Sequence, residues 1–151
     1  MTDIDFMAEA VIEAGIAAEA GEVPIGAVAV KDGIIVAKAH NQVEELHTVS
    51  AHAEFLLLHQ LEKMTGDWRM SDYTFYITKE PCPMCAGMLI NARVKRVVYG
   101  VADPSGGGMG GAFDINKIPG LLWHCEVTSG ILADESLALI RNFFRRRRLE
   151  K

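Results

Sequence analysis

Four residues have the types and spacing to do chemistry together: His52 and Glu54 in SAHAE (50–54), and Cys82 and Cys85 in EPCPMC (80–85). Two cysteines so spaced read in three ways: a redox pair, half of a metal site, or core residues. Pro83 suits the first position of a helix. Both sulfurs then sit at a helix start, where backbone N–H groups and the dipole favour thiolate, the form that binds metal. A redox C-x-x-C usually sits in a thioredoxin-like context, and the histidine upstream tips the balance. One imidazole and two thiolates offer three ligands to Zn²⁺ and leave a fourth tetrahedral position for water, as in catalytic zinc sites. Glu54, in the same turn as His52, is placed to take a proton from that water and pass it on rather than to bind metal. A structural zinc would need a fourth protein ligand, which Cys125 or His47 could supply. Cys125 on its own reads as a buried strand residue.

These four residues need a scaffold, and the hydrophobic pattern supplies one. Residues 5–21 have apolar positions at helical spacing, with Gly21 as a stop. PIGAVAV and IIVAKA, joined through Asp32–Gly33, read as a β-hairpin. Residues 40–50 read as a loop. A second helix starts at Ala51, with Ser50 as its N-cap and apolar positions at 53, 56, 57, 61 and 64. YTFYIT (73–78) is a strand, PMCAGMLINA (83–92) a third helix with Met84 and Met88 in the core, and VKRVVYG (94–100) another strand. A Gly-rich loop (103–111) follows, then a short strand in HCEVTSG and a last helix in DESLALIRNFFRRRR. GGGMGG (106–111) fits a dinucleotide-binding spacing but lacks a helix directly after it and an acidic residue about twenty positions on. It reads instead as a mobile loop at the mouth of a pocket. Alternation of strands and helices implies an α/β layered fold.

The chain has 151 residues, half of them hydrophobic, enough for one domain (1–151) with a real core. No run reaches the ~18 apolar residues of a membrane span. The N-terminus does not read as a secretion signal, and the odd cysteine count argues against a disulfide framework. The expected location is therefore the cytoplasm. Net charge is −5, which argues against bulk attraction to nucleic acid. Six of the 15 basic residues fall in RNFFRRRRLEK, so a local basic end keeps an RNA role open.

H-x-E followed by P-C-x-x-C is the signature of zinc nucleobase deaminases. EVPIGAVAV, HN (40–41), AHAE, EPCPMCAGMLINARVKRVVYG and GILADESLALIRNFFRRRR resemble the bacterial tRNA-specific adenosine deaminases, of the cytidine deaminase-like superfamily, over about Met7 to Arg148. The resemblance implies a three-layer α/β/α fold around a mixed five-stranded sheet, a homodimer, one Zn²⁺ per subunit, and conversion of the wobble adenosine of a tRNA anticodon loop to inosine. It assigns zinc to His52, Cys82 and Cys85 and the proton shuttle to Glu54. It assigns substrate contact to Asn41, pocket walls to Val23, Pro24, Ile25, Gly26 and Ala51, and a loop near the RNA to Asp103. RNA contact falls to Phe143, Phe144, Arg145, Arg147 and Arg148. EPCPMC also resembles motifs in deaminases of free guanine or cytosine, so a free base or nucleoside is the alternative substrate. A non-catalytic zinc-binding scaffold or partner subunit is the alternative of another class. Glu54 speaks against it, because a scaffold has no need of a proton shuttle.

Overall fold

A computed structural model describes residues 1–150. The elements run α1 (Asp3–Glu19), β1 (Gly26–Lys31), β2 (Ile34–His40), α2 (Val43–Leu46), α3 (Ala53–Thr65), β3 (Thr74–Lys79), α4 (Pro83–Asn91), β4 (Arg96–Val101), a single 3₁₀ turn (Ile115–Lys117), β5 (Glu126–Thr128) and α5 (Ala133–Leu149). The strands form one five-stranded sheet in the order β2-β1-β3-β4-β5. β1 is antiparallel to both β2 and β3, while β3, β4 and β5 are parallel. The sheet is thus mixed and five-stranded, as expected.

Strand alternation divides the core between two helix layers. Val28, Val30, Tyr76 and Val98 face α1, packing with Phe6, Met7 and Ala10. Ala27, Ala29, Phe75, Ile77 and Val97 face the other way, against Leu57, Leu61, Leu89 and Ile90 of α3 and α4. α5 packs beside α1, which completes three layers. α1 lies very close to the sheet because its inner face is small: Ala10, Ala14 and Ala17 are fully buried. Gly26 makes that approach possible, since a Cβ there would lie 2.1 Å from the Ala10 carbonyl oxygen and 2.5 Å from the Ala14 nitrogen.

The topology gathers particular ends of the strands. The carboxyl end of β3 leads into EPCPMC, and β1 runs antiparallel to it, so the start of β1 lies at that same end. The end of β2 joins them, with Gly26 paired to His40 and the Asn41 N–H bonded to the Ile25 carbonyl at 3.0 Å. Ligand sites of open α/β sheets form in such a crevice beyond the carboxyl ends of parallel strands.

Three local expectations are corrected. Residues 40–50 contain the one-turn helix α2, closed by His47 in the left-handed region at φ 53°. The N-cap of α3 is His52, not Ser50. Met84 is exposed rather than in the core, and Met88 is half-buried against it.

Candidate active site

Two helix N-termini converge on the site. His52 caps α3 and Cys82 caps α4, where its sulfur accepts the Cys85 backbone N–H at 3.5 Å and Pro83 takes the first helical turn. This is the expected placement of a thiolate on the positive end of a helix. The His52 Nδ1 lies 3.8 Å from Cys82 Sγ and 3.4 Å from Cys85 Sγ, and all three ligand atoms fall within 4.8 Å of one another. A tetrahedral zinc with Zn–S near 2.3 Å and Zn–N near 2.1 Å requires S···N edges of about 3.6 Å. The donor set and its spacing therefore fit that ion. Among the described residues, neither His47 nor Cys125 joins the cluster. Cys125 is buried in the main core, where burial pushes its thiol up to about 12. That leaves three protein donors.

Local electrostatics prepare this donor set. The Cys82 thiol is held down at about 4 by the Cys85 thiol and, against its own burial, by the His52 ring and the Cys85 N–H. Cys85 is pushed up, because it shares its proton with Cys82 and is buried. The Cys82 sulfur raises His52. Glu54 is 4% exposed, and burial raises its carboxyl above the ordinary range. A group that holds a proton longer than an exposed carboxylate does suits a shuttle.

His52 lines a cavity of about 530 Å³ together with Val23, Ile25, Asn41, Phe143, Phe144 and Arg147, among others, whereas Cys82, Cys85 and Glu54 do not line it. The cavity is walled by the α1–β1 turn and by Asn41, and its outer side is formed by the basic end of α5. The Asn41 amide donates to the Val23 carbonyl at 3.3 Å while its Oδ1 accepts from the Val43 N–H at 3.2 Å. Phe143 is buried, with Phe144 edge-on to it at 5.3 Å and the Arg147 guanidinium over its ring at 5.0 Å. Arg147 also donates to the Gly21 carbonyl, which ties the end of α5 to the end of α1.

The profile of the MafB19-like deaminase family matches residues 1–148. The tRNA-specific adenosine deaminase of Bacillus subtilis is 44% identical over 146 residues, covering 97% of this chain and 91% of its own length. The chain belongs to the tRNA-specific adenosine deaminase family. The family member of Agrobacterium fabrum is 39% identical over 96% of this chain and 95% of its own. A solved structure from a study of A-to-I editing by tRNA:A34 deaminases superposes with a TM-score of 0.87 at 38% identity, covering 89% of this chain and 98% of that one. The guanine deaminase of Bacillus subtilis is also 38% identical, but with a TM-score of 0.64 and over 68% of this chain and 66% of its own. The fold is therefore that of the family and its cytidine deaminase-like relatives.

Within this family frame, the expected site residues divide. Val23, Ile25, Asn41, Phe143, Phe144 and Arg147 line the cavity; Pro24, Gly26, Ala51, Asp103, Arg145 and Arg148 do not. Gly26 instead faces α1, and Ala51 is buried, with its carbonyl accepting the Gln42 N–H. Arg145 and Arg148 are exposed on α5. The Asp103 carboxylate is occupied within its own loop, accepting from the Ser105 N–H and hydroxyl and the Gly106 N–H and pairing with Lys79 at 3.2 Å. Burial opposes its ionisation, but Ser105 and Lys79 outweigh that and hold it down at about 2. The Gly-rich loop does not line the cavity. Its backbone is held by the buried Glu80 carboxylate, contrary to the expectation of a mobile mouth.

Glu22 escaped the sequence reading. It is 2% exposed, lines the cavity, and accepts from the Glu44 and Glu45 N–H groups at 2.9 and 2.8 Å. It thereby fastens α2, and the Asn41 loop with it, to the end of α1. The available signal was a lone acidic residue before V-P-I-G, which is indistinguishable from a solvated turn residue until its partners are seen.

Proposed function

We propose that this protein is a zinc-dependent hydrolytic deaminase that converts the wobble adenosine of a tRNA anticodon loop to inosine, acting as a cytoplasmic homodimer. The observation that carries the reading is a His/Cys/Cys cluster beside a buried carboxylate, whose His52 lines a cavity shared with the aromatic and basic end of α5. His52, Cys82 and Cys85 would hold the zinc. When bound, zinc supplies Lewis acidity that brings the pKa of a water molecule from about 15.7 towards neutrality. Glu54 takes one proton from the attacking water and delivers it to the ring nitrogen next to the reacting carbon as the C–O bond forms. It then carries the second proton from the new hydroxyl to the amine, so that the C–N bond breaks, ammonia leaves and a carbonyl remains. Val23 and Ile25 give the base an apolar wall. Asn41, locked by its bonds to Val23 and Val43, presents its remaining amide hydrogen as a fixed donor. Phe144, half-exposed on the rim, offers a stacking face for an unpaired base, and the neighbouring arginines offer charge to the RNA backbone.

The likeness to guanine deaminase favours a second reading, turnover of a free base. The full-length match to the tRNA-acting relatives and the basic rim support RNA as the substrate. The decisive experiment incubates zinc-loaded protein with an anticodon stem-loop carrying adenosine at the wobble position and measures inosine by mass spectrometry. Wild type should form inosine. Glu54→Gln should keep its zinc and lose about 10²- to 10⁴-fold in turnover. No inosine from folded, zinc-loaded wild type, with guanine consumed instead, would replace RNA by a free base.

A further inference from the structure

Glu80 stands two residues before the first thiolate and has no part in the chemistry above, yet it is 3% exposed. Burying a carboxylate is costly unless its oxygens are filled by donors. Here Oε1 accepts the Asp103 N–H at 3.0 Å, and Oε2 accepts those of Met109 and Gly111 at 2.9 and 2.8 Å. The Gly-rich loop is shaped around it. A Cβ on Gly107 would lie 2.2 Å from the Glu80 carboxyl carbon, and one on Gly111 would lie 2.3 Å from Oε1. The loop grips the neighbouring residues as well: the Gly108 N–H bonds the Pro81 carbonyl at 2.7 Å, and Lys79 pairs with Asp103. A Cβ on Gly108 would press on the backbone of Cys82 and Pro83. Three successive residues ahead of Cys82 are thus held by one loop.

We infer that Glu80 is a positioning residue for the metal site, holding the 103–114 loop against the Lys79–Pro83 segment so that Cys82 keeps its place opposite His52. The inference rests on the zinc reading above. Charge-assisted bonds to three backbone N–H groups fix the segment more tightly than neutral bonds would. Glutamine cannot replace glutamate here. Both oxygens face donors, so whichever way the amide turns, its NH₂ meets an N–H.

The test uses the full-length, zinc-loaded protein and follows zinc release to a chromogenic chelator. Two variants disturb the clamp from opposite sides, Glu80→Gln and Gly107→Ala. Arg96→Ala, which breaks the Asp3 ion pair far from the loop, is the control for general destabilisation. Outer-shell partners of metal ligands commonly govern metal affinity by about 10- to 100-fold. Both clamp variants should release zinc about tenfold faster or more, with the control near wild type. Limited proteolysis of the metal-free proteins should cut within 103–114 faster in the same two variants. Zinc release at the wild-type rate in both, or equal acceleration in the control, would overturn the inference. Wild type that takes up no zinc would overturn the metal reading and this inference with it, and the proteolysis would then tell whether the clamp itself exists.

Discussion

Gly26→Ala should lower both stability and activity, and the size of the effect follows from the α1–β1 contact. The new methyl would sit 2.1 Å from the Ala10 oxygen, 2.5 Å from the Ala14 nitrogen and 2.9 Å from the Glu13 Cβ. Two of these neighbours are helix backbone, which cannot turn aside as a side chain can. Restoring an ordinary contact of about 3.5 Å requires α1 to move off the sheet by about 1 Å or more. Overpacking of this kind costs about 1–3 kcal/mol. For a chain of this size that lowers Tm by about 2–12 °C, at about 2–4 °C per kcal/mol. The displacement also reaches the site, because α1 runs straight into Gly21, Glu22 and Val23, which line the cavity. A misplacement of about 1 Å can cost about 10²-fold in rate. Gly15→Ala is the matched control: Gly15 lies in α1, the helix that Gly26→Ala would displace, and nothing lies within 4 Å of a Cβ built there. That substitution should stabilise by about 0.4–1 kcal/mol. Thermal melts and kcat/KM on the stem-loop for both variants decide the matter. If Gly26→Ala melts within a degree of wild type with full activity, α1 does not pack on β1 as closely as described, and the reasoning fails.

Cys85→Ala should abolish stoichiometric zinc, measured by elemental analysis, since it removes one of three protein donors; full occupancy would refute the ligand assignment. Phe144→Ala should raise KM for the stem-loop with little change in Tm, because the ring is 44% exposed and a stacked base is worth about 1–3 kcal/mol. An unchanged KM would remove Phe144 from RNA contact. The Asp3 carboxyl is held below its ordinary value, first by its hydrogen bond to Arg96, with Tyr76 adding a second. A lowered folded pKa contributes stability above the unfolded value, lost as pH falls through the folded one. The Tm gap between wild type and Asp3→Asn should therefore hold steady from neutral pH to about 5 and close below about 4. A gap that does not change with pH would show that the ion pair is not its source.

The chemistry was legible in the sequence because it depends on local spacing. His52 and Glu54 share a turn, Cys82 and Cys85 share a helix start, and Pro83 marks that start, so ligand type and helix-terminal position follow from a few adjacent residues. The sheet was legible for a similar reason: the short apolar and β-branched runs at 26–31 and 74–79 and the Asp32–Gly33 turn are short-range signals. What tertiary structure alone decided is what distant segments do to one another. Nothing in their local sequence sets Glu22 or Glu80 apart from other acidic residues. Only the fold reveals them buried, each filled by backbone donors roughly twenty or more positions away in sequence. Gly26 read as a pocket wall, yet its role is to admit the α1 backbone. GGGMGG read as mobile because glycine frees a chain, whereas here glycine makes room for a carboxylate. A sequence states what each residue can do. Close approach between backbone segments, and the partners of a buried charge, exist only once the chain is folded.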